Sequence, residues 1–274
     1  MSIAISLSDR MKEYESQTQM KVIKKLPVII RLDGRKFSKF TKGFEKPFDT
    51  DLSVIFQIVA LELRKRVDNV KFIYSQSDEI SLLLTDWDHT KEIDGGRIDT
   101  WYDYRVQKMV SVISSEATVI FNRELTKYIN TYETLVNSDE TVPEKRPYYK
   151  SRLDLFKRKQ FTAMFDARVF NLPLDEVTNY FIFRQQDALR NSISSFARKY
   201  YSTKQLQGVK NPDKIEMVKR DFGVDFDKDI SQLQKVGFAI VTNTTAENID
   251  KDKFELDINI PMFKDNREYI ERYL

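Results

Sequence analysis

Two stretches of this sequence place acidic residues where strand-forming segments end. Residues 72–84 consist of an apolar run, a polar tip that carries Asp78 and Glu79, and a second apolar run, which predicts a β-hairpin with both acids at its turn. An earlier segment that begins at Pro27 has the character of a buried strand and ends in Asp33. If the two strand ends meet in one sheet, these carboxylates lie side by side.

Clustered carboxylates fit a hard divalent cation such as Mg²⁺, which takes oxygen ligands and shares them with phosphates. Acids are also common at turns, so an ordinary pair of strand-end acids that face water is the alternative on this evidence alone. Directly after Asp33, residues 34–49 are rich in basic side chains, contain Gly34 and Pro47, and predict an exposed loop.

The composition excludes several other kinds of site. Cysteine is absent, which rules out disulfides and thiolate metal sites. The single histidine, His89, is too little for a histidine-based zinc site and lies in a polar stretch that predicts an exposed loop. Carboxylate, lysine, arginine and hydroxyl groups are left, and metal-assisted phosphoryl transfer suits this set best.

The charge of the chain is nearly balanced, with 45 basic against 42 acidic side chains and a net charge of +3. Nucleic-acid binding would therefore have to come from local basic clusters such as residues 64–66 and 157–159, for which a solvated surface is the alternative. The sequence has no apolar run of membrane-spanning length and no recognisable signal peptide. We therefore expect a soluble, cytoplasmic protein.

Hydrophobic periodicity predicts an α+β domain with a mostly antiparallel sheet and helices on one side of it. The predicted helices are residues 7–20, 49–67, 102–125, 174–200 and 211–220, and the predicted strands are residues 28–32, 70–85 (the hairpin), 161–170, 236–241 and 254–260. The first helix would be capped by Ser8, with Met11, Tyr14 and Met20 on its apolar side. Residues 130–160 contain two prolines and predict a long excursion over the surface.

Several motifs in order along the chain resemble those of the tRNA-His guanylyltransferase superfamily. They are Arg31-Leu-Asp-Gly-Arg35 followed by Phe37, Lys46-Pro47 with Asp49, Ser77-Asp-Glu79, Phe165-Asp-Ala-Arg168, and Arg184-Gln185 with Asp187. The resemblance runs from about Met11 to at least Gly208. It implies a single catalytic domain over residues 1–274, with a ferredoxin-like polymerase palm (a βαββαβ antiparallel sheet with helices packed on one face) over about 22–200 and a C-terminal extension over about 201–274. It also implies a homotetramer.

The resemblance assigns roles to individual residues. Asp33, Asp78 and Glu79 would be the catalytic acids, and Asp33, Asp78 and the carbonyl of Gly34 would bind two Mg²⁺ ions. The implied nucleotide-binding residues are Asp33, Gly34, Arg35, Lys36, Phe37, Ser38, Ser77, Asp78, Arg105, Lys108 and Arg168. On spacing alone, the pair Arg105 and Lys108 is better explained as a solvated helix face. Lys46 and Asp49 match residues implicated in activating the RNA 5′ end.

Members of this superfamily add nucleotides to RNA 5′ ends in the 3′–5′ direction, with ATP and GTP or other nucleoside triphosphates as substrates. Eukaryotic members carry a His-Ile-Asn-Asn motif where this sequence has Leu189, Arg190, Asn191 and Ser192. That departure favours the Thg1-like branch, which extends 5′-truncated tRNA on a template. The alternatives are non-templated G addition to tRNA-His, a nucleotide cyclase, and a tRNA-binding protein without catalysis.

Overall fold

The computed structural model describes residues 5–87, 100–242 and 254–274. The strands in these ranges are β1 (Val28–Gly34), β2 (Val70–Gln76), β3 (Glu79–Leu84), β4 (Phe165–Asn171), β5 (Phe238–Thr242) and β6 (Phe254–Asp257). The helices are α1 (Leu7–Ser16), α2 (Phe37–Phe40), α3 (Thr50–Arg66), α4 (Val106–Asn137), α5 (Arg146–Lys159), α6 (Val177–Arg198), α7 (Asn211–Phe222), α8 (Phe226–Asp229), α9 (Gln232–Val236) and α10 (Glu268–Glu271). The prediction for His89 falls outside the described ranges.

All six strands form one sheet in the order β4-β1-β3-β2-β5-β6, and every neighbouring pair is antiparallel. The first four strands, with α3 after β1 and α4 after β3, form a βαββαβ unit in the ferredoxin-like order. The predicted fold class is therefore confirmed. The C-terminal extension adds β5 and β6 to the edge of the same sheet, at the positions that the sequence predicted for the last two strands.

Both faces of the sheet are covered, because its central strands carry apolar side chains on both sides. Ile30 and Leu82 lie in the core beneath α3 and α4. Ile29 and Leu83, one residue along each strand, point to the opposite face, where Phe181 of α6 and residues near the C-terminus cover them. The prediction of helices on one side was thus incomplete, since α6 and the C-terminal residues form a second layer.

Residues 130–160 are helical rather than a surface excursion. α4 continues to Asn137, and α5 packs against it through contacts such as the stacked rings of Tyr128 and Phe156, whose centroids are 5.6 Å apart. Pro147 lies in the first turn of α5, where a missing N–H breaks no helical hydrogen bond. The sequence interpretation was wrong because it treated a proline that opens a helix as one that prevents it.

The first helix also differs from its prediction. α1 is capped by Ser6, whose side chain accepts a hydrogen bond from the Asp9 amide, and not by Ser8. No residue of α1 is buried, and the predicted apolar side is exposed, with Met11 at 43% and Tyr14 at 60%. In the described ranges, no helix is long and apolar enough to cross a membrane.

Candidate active site

The end of β1 and the turn between β2 and β3 meet at one edge of the sheet. Asp33 lies directly opposite Glu79 in the register of β1 and β3. The Gly34 amide donates a hydrogen bond to the Asp78 carbonyl at 3.0 Å, which ties the strand end to the turn. Ser77 adopts a positive φ of 52° in this turn, and its hydroxyl donates to the Asp78 carboxylate at 2.9 Å. The structure therefore brings Asp33, Asp78 and Glu79 together.

The charges of Asp33 and Asp78 are not neutralised by the protein. Burial raises the pKa of Asp78, the Ser77 hydroxyl partly offsets this, and the nearby charge of Asp33 raises the pKa of Asp78 further. Within the described ranges, neither aspartate forms an ion pair. Two adjacent carboxylates without a cationic partner repel each other, and a bound cation would relieve that repulsion.

Glu79 differs from its two neighbours because it has partners of its own. Arg184 of α6 donates from Nε to one of its carboxylate oxygens at 2.6 Å and from a terminal nitrogen to the other, and Arg31 Nε lies 3.7 Å from Glu79. Burial raises the pKa of Glu79, and Arg184 opposes this. The sequence analysis assigned no role to either arginine, although both lie in the motifs that carry the family resemblance.

The donors around Asp33 and Asp78 fit Mg²⁺. Both residues offer carboxylate oxygens, and Gly34 adds a backbone carbonyl at the same strand end. In the part of the chain that the structure describes, no group of three acidic, histidine or cysteine side chains forms a denser metal site. Mg²⁺ usually binds one or two protein carboxylates and keeps water or substrate phosphate as its other ligands, so a pair of carboxylates is sufficient.

The loop after β1 offers backbone donors next to these carboxylates. The Arg35 amide donates to the Met164 carbonyl at 2.9 Å and is therefore already used. The amides of Lys36, Phe37 and Ser38, where α2 begins, donate to no acceptor within the described residues. Residues 34–49 were predicted to be a loop throughout, so α2 is a correction.

The Phe37 side chain is buried at 3% exposure, so any contact with a nucleotide would have to be made through the backbone of this residue. Its ring lies 5.1 Å from that of Phe165 and 5.5 Å from that of Phe121, as part of the main core. The role predicted for Phe37 in nucleotide binding is therefore restricted to its amide.

Residue 34 must be glycine because the Phe37 ring occupies the space that a Cβ atom would take. A Cβ at residue 34 would lie 2.4 Å from the nearest ring atom, so the ring would have to move. We expect Gly34→Ala to lower the free energy of unfolding by about 1–3 kcal/mol, as for other overpacked cores, and to displace the neighbouring carboxylates. Chemical denaturation measures the first effect.

Gly208→Ala is a control without crowding, because nothing lies within 4 Å of its added Cβ. The φ of 78° at Gly208 adds backbone strain of its own. Equal stability of Gly34→Ala and the wild type would contradict the packing argument.

A cleft of about 710 Å³ opens beside Asp78. One wall is formed by the α2 region and the start of α3, and the other by α6, α9 and the start of β5. Of the predicted site residues, it is lined by Phe37, Ser38, Lys46, Asp49, Ser77 and Asp78. The opposite wall includes Asn191 and Ser192, which occupy the last two positions of the altered family motif.

The first two positions of that motif do not line the cleft. Leu189 packs among the apolar residues that hold α6 in place. Arg190 is exposed and pairs with Asp187 at 3.0 Å. The four positions therefore divide into two that line the cleft and two that are engaged elsewhere.

Arg105 and Lys108 lie at the other end of the sheet. Arg105 pairs with Lys21 in an isolated β-bridge just ahead of β1, and Lys108 Nζ lies 4.7 Å from the centre of the Tyr102 ring. The length of β1, about 17 Å from Val28 to Asp33, separates them from the carboxylates. Within one chain they therefore lie away from the carboxylates, and their role in nucleotide binding stays a prediction. Helical spacing does not tell at which end of the sheet a helix begins.

Arg168 lies closer to the site. In the register between β1 and β4, Arg168 is opposite Arg31 and Asp166 is opposite Asp33. Since alternate residues of a strand share a face, Arg168 projects from the same face as Asp33, two residues along. Its side chain is exposed.

The carboxylate of Asp49 makes contacts that stabilise the fold. It caps α3 by accepting from the Leu52 amide at 3.1 Å, and Arg152 donates to both of its carboxylate oxygens at 2.6 and 3.0 Å. Although burial opposes it, hydrogen bonding to Arg152 leaves the pKa of Asp49 below its usual value. The expectation that Asp49 activates the RNA end is corrected, because both oxygens are engaged. Lys46 is exposed at the edge of the cleft.

Comparison with known proteins agrees with this geometry. The family model for tRNAHis guanylyltransferase matches residues 8–173. A bacterial tRNA(His) guanylyltransferase-like protein solved in complex with ATP is 34% identical, covers 98% of this chain and 99% of its own, and superposes with a TM-score of 0.75. A bacterial protein of the same description solved with GTP is 31% identical over 98% of this chain and 99% of its own, with a TM-score of 0.67.

More distant relatives agree as well. An uncharacterised protein of Acanthamoeba polyphaga mimivirus is 27% identical over 85% of this chain and 76% of its own length. The tRNA(His) guanylyltransferase of Debaryomyces hansenii is 25% identical over 78% of this chain and 72% of its own length. Because the family model covers more than half of the chain and a solved relative exceeds 30% identity over nearly its whole length, the assignment is clear. The chain belongs to the tRNA(His) guanylyltransferase family of nucleotidyltransferases.

Proposed function

We propose that this protein is a template-dependent 3′–5′ RNA nucleotidyltransferase that extends the 5′ end of truncated tRNA through an adenylylated end. The observation that carries the proposal is the adjacent pair of carboxylates, Asp33 and Asp78, which form no ion pair within the described residues and of which Asp78 lines a cleft of about 710 Å³. Family membership supplies tRNA as the substrate class, and the relatives solved with ATP and GTP support both nucleotides as substrates.

Asp33, Asp78 and the Gly34 carbonyl would hold two Mg²⁺ ions, which when bound would offset negative charge on the phosphoryl oxygens. The chain provides the other contacts. The free amides of Lys36, Phe37 and Ser38, with the cationic side chains of this loop, donate to the triphosphate. Glu79, whose carboxylate is paired with Arg184, keeps the strand ends in register beside the two aspartates.

Two displacements at phosphorus follow one another. In the first, an oxygen of the RNA 5′-monophosphate attacks the α-phosphate of ATP, the bond to pyrophosphate breaks, and the RNA carries an adenylylated 5′ end. In the second, the 3′-hydroxyl of the incoming nucleotide attacks the 5′-phosphate, gives up its proton, and AMP leaves with the bonding electron pair. Positioning and charge stabilisation provide most of the catalysis in reactions of this kind.

The altered motif on α6 supports templated addition. The first two positions are leucine and arginine, so the imidazole that histidyl-type members carry there is absent. Leu189 is packed among apolar side chains, and Arg190 pairs with Asp187. Non-templated G addition to tRNA-His is the second candidate, because Asn191 of the same motif lines the cleft. A nucleotide cyclase would need no RNA, and a tRNA-binding protein without catalysis would have no need of two repelling carboxylates. A homotetramer is the expected assembly, and size-exclusion chromatography with light scattering measures it.

The deciding experiment uses tRNA that lacks its first 5′ nucleotide and is labelled at the 5′ phosphate. It is incubated with Mg²⁺, ATP and each nucleoside triphosphate in turn, while the opposing nucleotide of the acceptor stem is varied. We expect addition to follow Watson–Crick pairing for all four opposing bases. Addition of G whatever the opposing base would establish the second candidate. Intact tRNA binding without any addition would refute both.

A further inference from the structure

A basic groove continues from the cleft on the side away from the carboxylates. It encloses about 470 Å³ and is lined by Ser194, Arg198, Thr203, Lys204, Leu206, Gln207 and Lys214. Ser194 and Arg198 line the cleft as well, so the two spaces adjoin along the last turns of α6. The groove lies outside residues 8–173, the part of the chain that the family model matches.

The local charge of this groove differs from the nearly balanced charge of the chain as a whole. Between Asp187 and Asp213 the sequence contains five lysines or arginines and no acidic residue, in a protein whose total charge is nearly balanced. Arg198 and Lys204 are exposed, and neither pairs with a carboxylate of the described ranges. Lys214 is held at the groove by Ser194, 3.3 Å from its Nζ, and by Asn211 at 3.1 Å. These neutral partners leave its charge uncompensated.

Two other basic clusters of the chain are partly paired with acids. Arg66 contacts Glu116 at 2.9 Å, and Lys157 contacts Glu133 at 2.5 Å, so the clusters at 64–66 and 157–159 are at least partly neutralised. Close to the groove, Lys219 pairs with Asp225 at 3.0 Å. The lining of the groove is thus a place where positive charge is left available for an anion.

Buried apolar residues support the groove from beneath. Phe196 and Ala197 of α6, Leu206 of the following segment, and Val218 of α7 form one small apolar cluster. Leu206 fixes the segment that carries Thr203 and Lys204, and α7 carries Lys214. The cationic groups are therefore presented by packed elements, which limits the entropy lost when they bind a ligand.

Distance decides what kind of anion fits. Arg184 contacts Glu79 beside the carboxylates, and Arg198 lies fourteen residues further along α6, which is about 21 Å at the rise of an α-helix. At about 3.4 Å per nucleotide of a strand, that length spans several phosphates of a nucleic acid, and neutralising such phosphates is the main source of affinity in nucleic-acid binding.

We infer that Arg198, Lys204 and Lys214 bind the sugar–phosphate backbone of the RNA substrate as it leaves the active-site cleft. This inference rests on the proposed function for the identity of the polymer. The groove contacts phosphates rather than bases, so it positions the RNA end without reading its sequence.

The test compares two double variants that remove the same charge. Arg198→Ala/Lys204→Ala removes two of the three groove cations, whereas Arg10→Ala/Lys12→Ala removes one arginine and one lysine from exposed α1. Fluorescence anisotropy with 5′-truncated tRNA measures Kd between 50 and 200 mM salt. We expect the groove variant to bind about ten-fold or more weakly, with a log Kd against log salt slope that is smaller by about 1–2. The α1 variant should bind as the wild type does.

A charge-conserving variant separates the effect of charge from that of packing. Arg198→Lys/Lys204→Arg should restore most of the affinity, because phosphates accept either cation. Equal tRNA affinity and equal salt slope of the groove variant and the wild type would overturn the inference, even if the wild type extends tRNA. The proposed function fails separately if the wild type binds tRNA through this groove but adds no nucleotide.

Discussion

Asp78→Asn is expected to abolish nucleotide addition while leaving the protein as stable as before, or more stable. Substitutions in the outer shell of a metal site typically cost 10–100-fold, so loss of a direct ligand should lower the rate by more than about 100-fold. The folded state gains nothing from the Asp78 charge, because burial and the neighbouring Asp33 raise its pKa. Removing that charge relieves a repulsion. Steady-state extension of 5′-labelled tRNA and thermal melting measure the two effects.

Asp33→Asn should behave in the same way, because it removes the other half of the pair. Asp175→Asn is the control, since Asp175 is exposed ahead of α6 and away from the cleft. It should keep full activity and stability. Substantial addition by a clean preparation of either site variant would show that the chemistry is not centred on these carboxylates. A large loss of stability would show instead that the pair is structural.

The second large effect is expected at the buried ion network of α3 and α5. Arg152 is 5% exposed, donates to both oxygens of Asp49, and also contacts Asp51. Arg152→Met leaves Asp49 buried without a counter-charge, which typically costs 3–5 kcal/mol, so we expect a loss of about that size in the free energy of unfolding. Chemical denaturation at pH 7 measures it. Lys150→Met is the control, because the exposed Lys150–Asp154 pair at 3.1 Å should contribute about 0.5 kcal/mol or less.

The same network predicts a dependence on pH. Since the pKa of Asp49 is lowered in the folded state, its contribution is fully present above its usual value of 3.8 and is lost as the pH falls through the lowered value. The stabilities of wild type and Arg152→Met should therefore differ by a constant amount from pH 7 to about 4 and converge as the pH falls further, through the range below 3.8. A difference that stays constant across this range would mean that the arginine stabilises the fold through packing alone.

Much of the candidate site could be predicted from the sequence alone, because its residues lie in short, recognisable segments. Strand-forming runs that end in Asp33 and at Asp78 specify where two strands stop, and a βαββαβ pattern permits few arrangements of those strands. The hairpin and the last two strands were predicted near their observed positions for the same reason.

The sequence did not predict which side chains are paired, because pairing depends on which elements pack against each other. Glu79 resembles its neighbour Asp78 along the chain, yet only Glu79 faces α6 and is bound by Arg184. Asp49 matched a family position for RNA activation, but Arg152, about a hundred residues away, occupies both of its oxygens. Arg105 and Lys108 shared a helix face as predicted, at the opposite end of the sheet from Asp33.

The sequence by itself therefore determined the family, the class of fold and the candidate carboxylate pair, because these follow from residue types and from periodicities of a few residues. The tertiary structure alone decided which charges are left free. A carboxylate or cation is available for a substrate only if no distant side chain neutralises it, and that depends on the packing of α5 and α6. The free pair at Asp33 and Asp78 and the free cations at Arg198 and Lys204 are both consequences of that packing.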